Sequence, residues 1–273
     1  MTTRMPGELV AVTYLSAVRR TVGMNRLQAA RAAGLPAHVL YRLERGSAGL
    51  DLHTATRLQR AYGITSGQDI EAVTRLLRAP EPEGKMQRDS GPGNRERLMA
   101  CERASRAIRM WTAFWVPTVL QTPDYARTAA RRERLLDSGP GPVRLGLRTL
   151  PRRGPRITLL IDEIVLQRPI GGPNVMAGQL AYLQRLIESR AVAVRVVPID
   201  SCIPPPGPHL AELQLHRTRL YVDESIGVHY AIDSPDRSRH RAHLDALEAA
   251  AASPEQSYDW IGRARTALVP HQS

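Results

Sequence analysis

The chain has 273 residues, enough for one large domain or two ordinary ones, and 42% of them are hydrophobic, enough for packed cores. Its net charge is +12, and almost all of the positive charge is arginine, because Lys85 is the single lysine. Such a balance suits phosphate and carboxylate partners, with codon bias as the plainer source of the arginine. No apolar run approaches the roughly 18 residues a membrane span needs, and the first apolar stretch (8–22) lacks a signal-peptide cleavage site. Cys101 and Cys202 stand far apart with no metal spacing around them. These features predict a cytoplasmic protein with reduced cysteines, no metal and no membrane insertion.

A first helix is expected over about 8–21, with Val12, Leu15 and Val18 facing inward. Asn25 is placed to cap a second helix, and Gln28 three residues on completes a capping box. Ala29, Ala30, Ala32 and Ala33 give that helix a face that another helix can approach closely. Gly34 follows where the chain must turn, and glycine takes a left-handed conformation there at no steric cost. A third helix, over about 36–45, buries Val39, Leu40 and Leu43 and presents Ala37, His38, Tyr41 and Arg42 on its other side. Two short helices joined by a tight turn, the second readable from outside, suit a DNA major groove. Arginine can bond guanine through two donors, worth about 1–3 kcal/mol of discrimination. Arg26 and Arg45 sit at helix ends, where a phosphate is the expected partner. An amphipathic helical hairpin with a solvated outer face is the plainer alternative.

This segment resembles the lambda-repressor/Cro-like helix-turn-helix family of the xenobiotic-response-element type. The match runs through Gly23, Met24, Asn25, Ala30, Gly34, Leu35, Leu40, Leu43, Glu44, Arg45 and Gly46, with Leu15, Val18 and Arg19 fitting the preceding helix. The resemblance implies that Ala37, His38, Tyr41 and Arg42 contact bases and that Arg26 and Arg45 contact phosphates. Pro36 departs from the family, which has Ser or Thr there. The missing hydroxyl cap costs on the order of 1 kcal/mol.

A fourth helix is expected over about 52–62, stopped by Gly63, and a fifth from near Ser66 with Ile70, Val73 and Leu77 on one face. Residues 1–80 thus form a five-helix bundle, and the Pro-, Gly- and charge-rich stretch 81–97 reads as a linker. Residues 98–273 then form a second domain. A helix beginning near Asn94 is expected to carry Leu98, Cys101, Ala104, Ile108 and Trp111 and to end before Pro117. Thr122 and Pro123 open another helix to Leu136. Strands are expected at 156–161, 192–197, 211–216, 219–223 and 227–232, a helix at 174–189, and closing helices at 235–252 and 254–267. The fold class is therefore mainly α with α+β: a helix-turn-helix bundle followed by an α+β domain with a small mixed sheet.

The second half is similar to a C-terminal domain of unknown function found in WhiJ-like, Scr-type antitoxin-like transcriptional regulators. Val116, Pro117, Leu120, Gln121, Thr122, Tyr125 and Ala126 carry the first motif. Asp162, Glu163, Leu166 and Gly171 carry the second, Met176, Gln179, Leu180 and Leu183 the third, and Val194, Val196 and Pro198 the fourth. Thr118 stands where that family has glycine. The resemblance implies a regulator encoded beside a small partner protein.

Catalysis finds little support. Asp162 and Glu163 are adjacent on or after a strand and would point to opposite faces. His209, His216, His229, His240 and His243 are scattered, with no acid or cysteine to complete a metal set. Gly171-Gly172-Pro173 lacks the lysine and hydroxyl of a phosphate loop. Trp111, Phe114 and Trp115 lie within five positions and, with Gln121 and Tyr125, are candidates for a partner or small-molecule ligand, the domain core being the plainer reading. Arg131, Arg132 and Arg134, and further on Arg237, Arg239 and Arg241, read as solvated faces or docks for an acidic partner.

The sequence therefore predicts a transcriptional regulator without cofactor, metal or catalytic set. It would bind double-stranded DNA at a (pseudo)palindromic operator as a homodimer, in the nucleoid. The second domain would serve dimerisation, a small partner protein from a neighbouring gene, or a ligand. The rivals are an antitoxin-like interaction protein that uses DNA binding for autoregulation and a hydrolase in the second half.

Overall fold

A computed structural model describes residues 5–78, 86–136, 155–204, 206–216, 218–224, 227–232 and 239–268. The helices α1 (Pro6–Thr21), α2 (Arg26–Ala32), α3 (Ala37–Glu44), α4 (Leu52–Ala61) and α5 (Gly67–Arg78) come first, followed by β1 (Gln87–Asp89) and α6 (Asn94–Ala104). Next come β2 (Ala107–Thr112), a 3-10 turn at Thr118–Leu120, α7 (Pro123–Leu136), β3 (Arg156–Asp162), α8 (Glu163–Gln167), α9 (Pro173–Glu188) and β4 (Val192–Val197). The strands β5 (His209–Leu215), β6 (Thr218–Asp223) and β7 (Val228–Ile232) and the helices α10 (Arg239–Ala250) and α11 (Pro254–Leu268) complete the order. The fold is mainly helical, with an N-terminal five-helix bundle and an α+β part whose strands are both parallel and antiparallel. The side chains of Arg131, Arg132 and Arg134, and Arg237 as a whole, lie outside the described residues.

The chain packs as two compact units, one made of Met1–Arg106 with Glu212–Ser238, the other of Ala107–Ala211 with Arg239–Ser273. In the first, α1 to α5 share one apolar core of Val12, Leu15, Ala29, Ala30, Leu40, Leu43, Leu58 and Val73, among others. The buried residues of α5 are Ala72, Val73 and Leu76; of the expected stripe Val73 is buried, while Ile70 and Leu77 are half-buried. The expected linker at 81–97 holds, in its described part, β1 and the first turn of α6. There β1 pairs antiparallel with β7, Gln87 opposite Tyr230, and β7 pairs antiparallel with β6. Polar side chains are the reason this piece is built in. Gln87 accepts from Gly7 N at 2.8 Å and donates to Leu76 O at 2.7 Å, tying α1, α5 and β1 together. Arg97 and Asp89, both almost fully buried, bond through two nitrogens at 2.6 and 2.8 Å. A buried pair with this fork geometry replaces the water both groups lose.

In the second unit β2, β3 and β4 are parallel, with Ile108 beside Ile157 and Ile157 beside Val192. Both crossovers advance in the same direction across this trio. Right-handed connections therefore set α7 and α9 on one face, where they pack on each other. The helix expected to run through Ile108 and Trp111 stops at Ala104, because Ser105 is extended (φ −72°, ψ 146°) and the chain enters β2. A strand covered on both faces reads as a continuous apolar run, without the alternation that distinguishes it from a buried helix. The far edge, β4, is closed by the α10–α11 corner. Val196 N donates to Ser257 Oγ at 2.9 Å and Val196 O accepts from Ala252 N at 2.8 Å. Arg195 meanwhile donates to the carbonyls of Ala251 and Ala252 at the end of α10.

Candidate nucleic-acid interface

Local sequence builds α2, the turn after it and α3 where they were expected. Asn25 Oδ1 accepts from Gln28 N, and Gln28 Oε1 accepts from Asn25 N, both at 2.9 Å, so the capping box is complete. Gly34 turns the chain at φ 60°, and Arg57 of α4 pins the turn by donating to the carbonyls of Ala33 and Gly34. Pro36 is the N-cap of α3, not a residue of its first turn, and supplies no side-chain cap, so the helix begins at Ala37.

Helix α3 has two faces of opposite character. Leu40 and Leu43 are buried in the bundle core. Ala37, His38, Tyr41 and Arg42 are exposed on the other side, and Arg45 is exposed at the C-terminal end. Tyr41 is 44% exposed, and two guanidinium groups lie over its ring, Arg26 at 5.5 Å and Arg45 at 5.3 Å from the centroid. Arg45 Nη1 also donates to the Tyr41 hydroxyl at 2.7 Å. Among the described residues Arg42 makes only a long contact to Ser47 O, 3.4 Å, which leaves most of its fork open to them.

Behind this face sits a charge cluster that sequence reading missed. Glu44 is buried and receives Arg19 Nε at 2.6 Å and Nη2 at 3.1 Å, and Arg26 Nε at 2.6 Å on its second oxygen. Arg19 also donates to Met24 O at 2.6 Å, so one side chain joins α1, the α1–α2 turn and α3. Burial raises the Glu44 pKa, and the Arg19 and Arg26 hydrogen bonds overcome that effect, leaving it below the ordinary value. Arg26, read as a phosphate contact, is thus also a structural partner of α3, engaged through Nε alone with its side chain about half exposed.

The second group of candidates is divided between core and surface. Trp111 is 1% exposed, with Nε1 donating to Gly207 O at 3.0 Å. Tyr125 is fully buried, and its hydroxyl accepts from Val116 N at 3.1 Å. Gln121 is buried and donates to Val116 O at 2.7 Å. Gln179 of α9 completes the knot, accepting from Thr122 N at 2.7 Å and donating to Leu120 O at 2.9 Å. Trp111, Gln121 and Tyr125 are therefore packing and turn-holding residues, not surfaces for a ligand. Only Phe114, exposed and covered on one side by Arg168 at 5.3 Å, and half-buried Trp115 reach solvent.

Asp162 and Glu163 each bond a backbone N–H. Asp162 caps α8, accepting from Ile164 N at 2.9 Å, while Glu163 accepts from Ile199 N at 3.2 Å. Gly171 and Gly172, both at positive φ, form the turn into α9. No group of three metal-ligating side chains occurs among the described residues, and no described helix is long and apolar enough to cross a membrane. Cys101 is buried, and that burial pushes its thiol pKa far up.

No curated protein matches the chain. A family model does match, over residues 95–263, starting at α6 and running through both the knot around Gln179 and the strands that follow. That stretch is more than half of the molecule and leaves α1 to α5 outside it. The chain accordingly belongs to the family described as Domain of unknown function (DUF5753).

Proposed function

We propose that the N-terminal bundle binds duplex DNA and that the protein is a transcriptional regulator. In this reading α3 enters the major groove with Ala37, His38, Tyr41 and Arg42 toward base edges, and Arg26 and Arg45 lie against the phosphates. A homodimer on a (pseudo)palindromic operator would space its half-sites by roughly 34 Å, one helical turn. The remainder of the chain would supply dimerisation, a partner contact or a signal.

One observation carries the reading. A single short helix combines an outer face of His38, Tyr41 and Arg42 with two buried leucines and a buried carboxylate held by two arginines. An outer face that served only solubility would need no such anchoring from behind. The two guanidinium groups stacked on Tyr41 also put positive charge at the rim of the face, where a phosphate backbone would pass.

Anisotropy of a labelled random duplex, measured across a salt series, tests this. Binding should weaken linearly in log salt. Arg45→Ala should reduce the slope by about one unit while leaving the fold unchanged. Arg45 is the cleaner probe, because truncating Arg26 also removes a Glu44 partner. Absence of salt-dependent duplex binding would sink the proposal.

A further inference from the structure

A cleft of about 370 Å³ opens in the first unit between the C-terminal half of α5 and β1. That volume lies in the range of small-molecule sites, roughly 300–1,000 Å³. Its floor includes Ala72 and Leu76, both buried, and its walls carry Arg75 and Arg78 from α5 and Arg88 from β1. All three arginines are exposed. Arg75 has one loose partner, Glu71 at 3.7 Å, with both side chains more than half in solvent. Arg78 and Arg88 have no carboxylate partner among the described residues. The cleft's own acid, Asp89, is already committed to Arg97 through two hydrogen bonds.

The wall opposite α5 is tied down by hydrogen bonds from Arg97. Arg97 also donates to Gly91 O at 3.2 Å and to Pro92 O at 2.9 Å, so the turn after β1 is held at three points. Gly91 packs so closely on α5 that an added Cβ would lie 2.5 Å from the Ala72 Cβ. Arg88 therefore precedes a turn that is tied to Arg97 and packed on α5.

We infer that this cleft binds a small organic phosphate, its phosphoryl oxygens on the Arg75, Arg78 and Arg88 guanidiniums and its apolar body on Ala72 and Leu76. Three guanidinium forks from two elements match a dianion with three terminal oxygens better than a carboxylate with two. A concave site with an apolar floor fits a small molecule, whereas a DNA backbone would lie along an open ridge. The site stands independently of the DNA-binding reading. Because its walls belong to α5 of the bundle and to β1, an occupant would strengthen the seam between them.

Isothermal titration of the full chain with phenyl phosphate tests this, with phenol and inorganic phosphate as the comparisons. The expected result is saturable binding of one equivalent of phenyl phosphate, weaker binding of inorganic phosphate and none of phenol. Arg88→Glu, which changes an exposed side chain, should weaken phenyl phosphate at least about tenfold with an unchanged circular dichroism spectrum. No saturation in the folded wild type, or equal affinity in Arg88→Glu, would overturn the inference. So would saturation confined to a Glu81→Gln/Glu83→Gln variant, because the chain's own acids would then hold the arginines. Loss of duplex binding in Arg88→Glu without any phenyl phosphate site would instead reassign the cleft to the DNA backbone and overturn it as well.

Discussion

Tyr41 and Tyr125 both sit on helices beside arginine-rich sequence, yet one is 44% exposed and the other fully buried. Around Tyr41 the polar groups point away from the core and the carboxylate behind them, Glu44, is spent on holding α3 in place. Around Tyr125 its own hydroxyl and the side-chain amides of Gln121 and Gln179 point inward, to Val116, Leu120 and Thr122, and the result is a locked turn. Aromatic and polar residues mark a site only where their framework leaves them facing out. The α3 face meets that condition, and among the aromatic candidates of the second unit only Phe114 and Trp115 do.

Truncation should separate the two regions most strongly. Trp111→Ala removes a fully buried ring and should cost the second unit about 3–5 kcal/mol, whereas His38→Ala on the exposed face should change stability by no more than about 0.5 kcal/mol. Urea unfolding followed by tryptophan fluorescence and circular dichroism measures both. Similar losses for the two would erase the distinction. A gentler probe is Tyr125→Phe, which strands Val116 N–H inside the protein. A cost of about 1–3 kcal/mol is expected, and a neutral result would mean that the knot is not held by that hydroxyl.

The smallest effect is a pH dependence with opposite signs at two glutamates of the first unit. The Glu44 pKa is lowered from 4.5, so its stabilisation is present above that value and fades as pH falls through the folded one. Half-buried Glu102 behaves in reverse. Burial, and next the charge of Glu224, push it up to about 8 against the pull of Arg95 and Arg103. It therefore favours the fold most below 4.5, and that contribution drains away as pH rises from 4.5 through 8. Melting temperature should drop by a few degrees across that window, and Glu102→Gln should flatten the decline. An identical slope in the variant would assign the pH dependence elsewhere.

Much of the candidate interface was legible because its signals are local. Asn25 with Gln28, Gly34, and the leucine spacing of α3 each act within four residues, the distance over which helices cap, turn and pattern themselves. Glu44 and Arg19 enter the sequence reading only as positions of the family match and not as a pair, because the partners of Glu44 lie 25 and 18 residues away and nothing in charge order pairs them. Strand β1 was hidden for a different reason. It is three residues long, and the two it buries are Gln87 and Asp89, polar side chains satisfied by partners on α1, α5 and α6. Trp111 was placed on a helix because a strand buried on both faces carries no period of two.

Selection of binding sites from a random duplex library, run in parallel with the wild type and Arg42→Ala, tests the central claim most directly. If α3 reads the major groove, the wild type enriches a two-fold-related motif, and Arg42→Ala loses preference at one base step in each half while the rest survives, a change of about 1–3 kcal/mol. Enrichment of no motif by the wild type, or an identical motif from the variant, would contradict it.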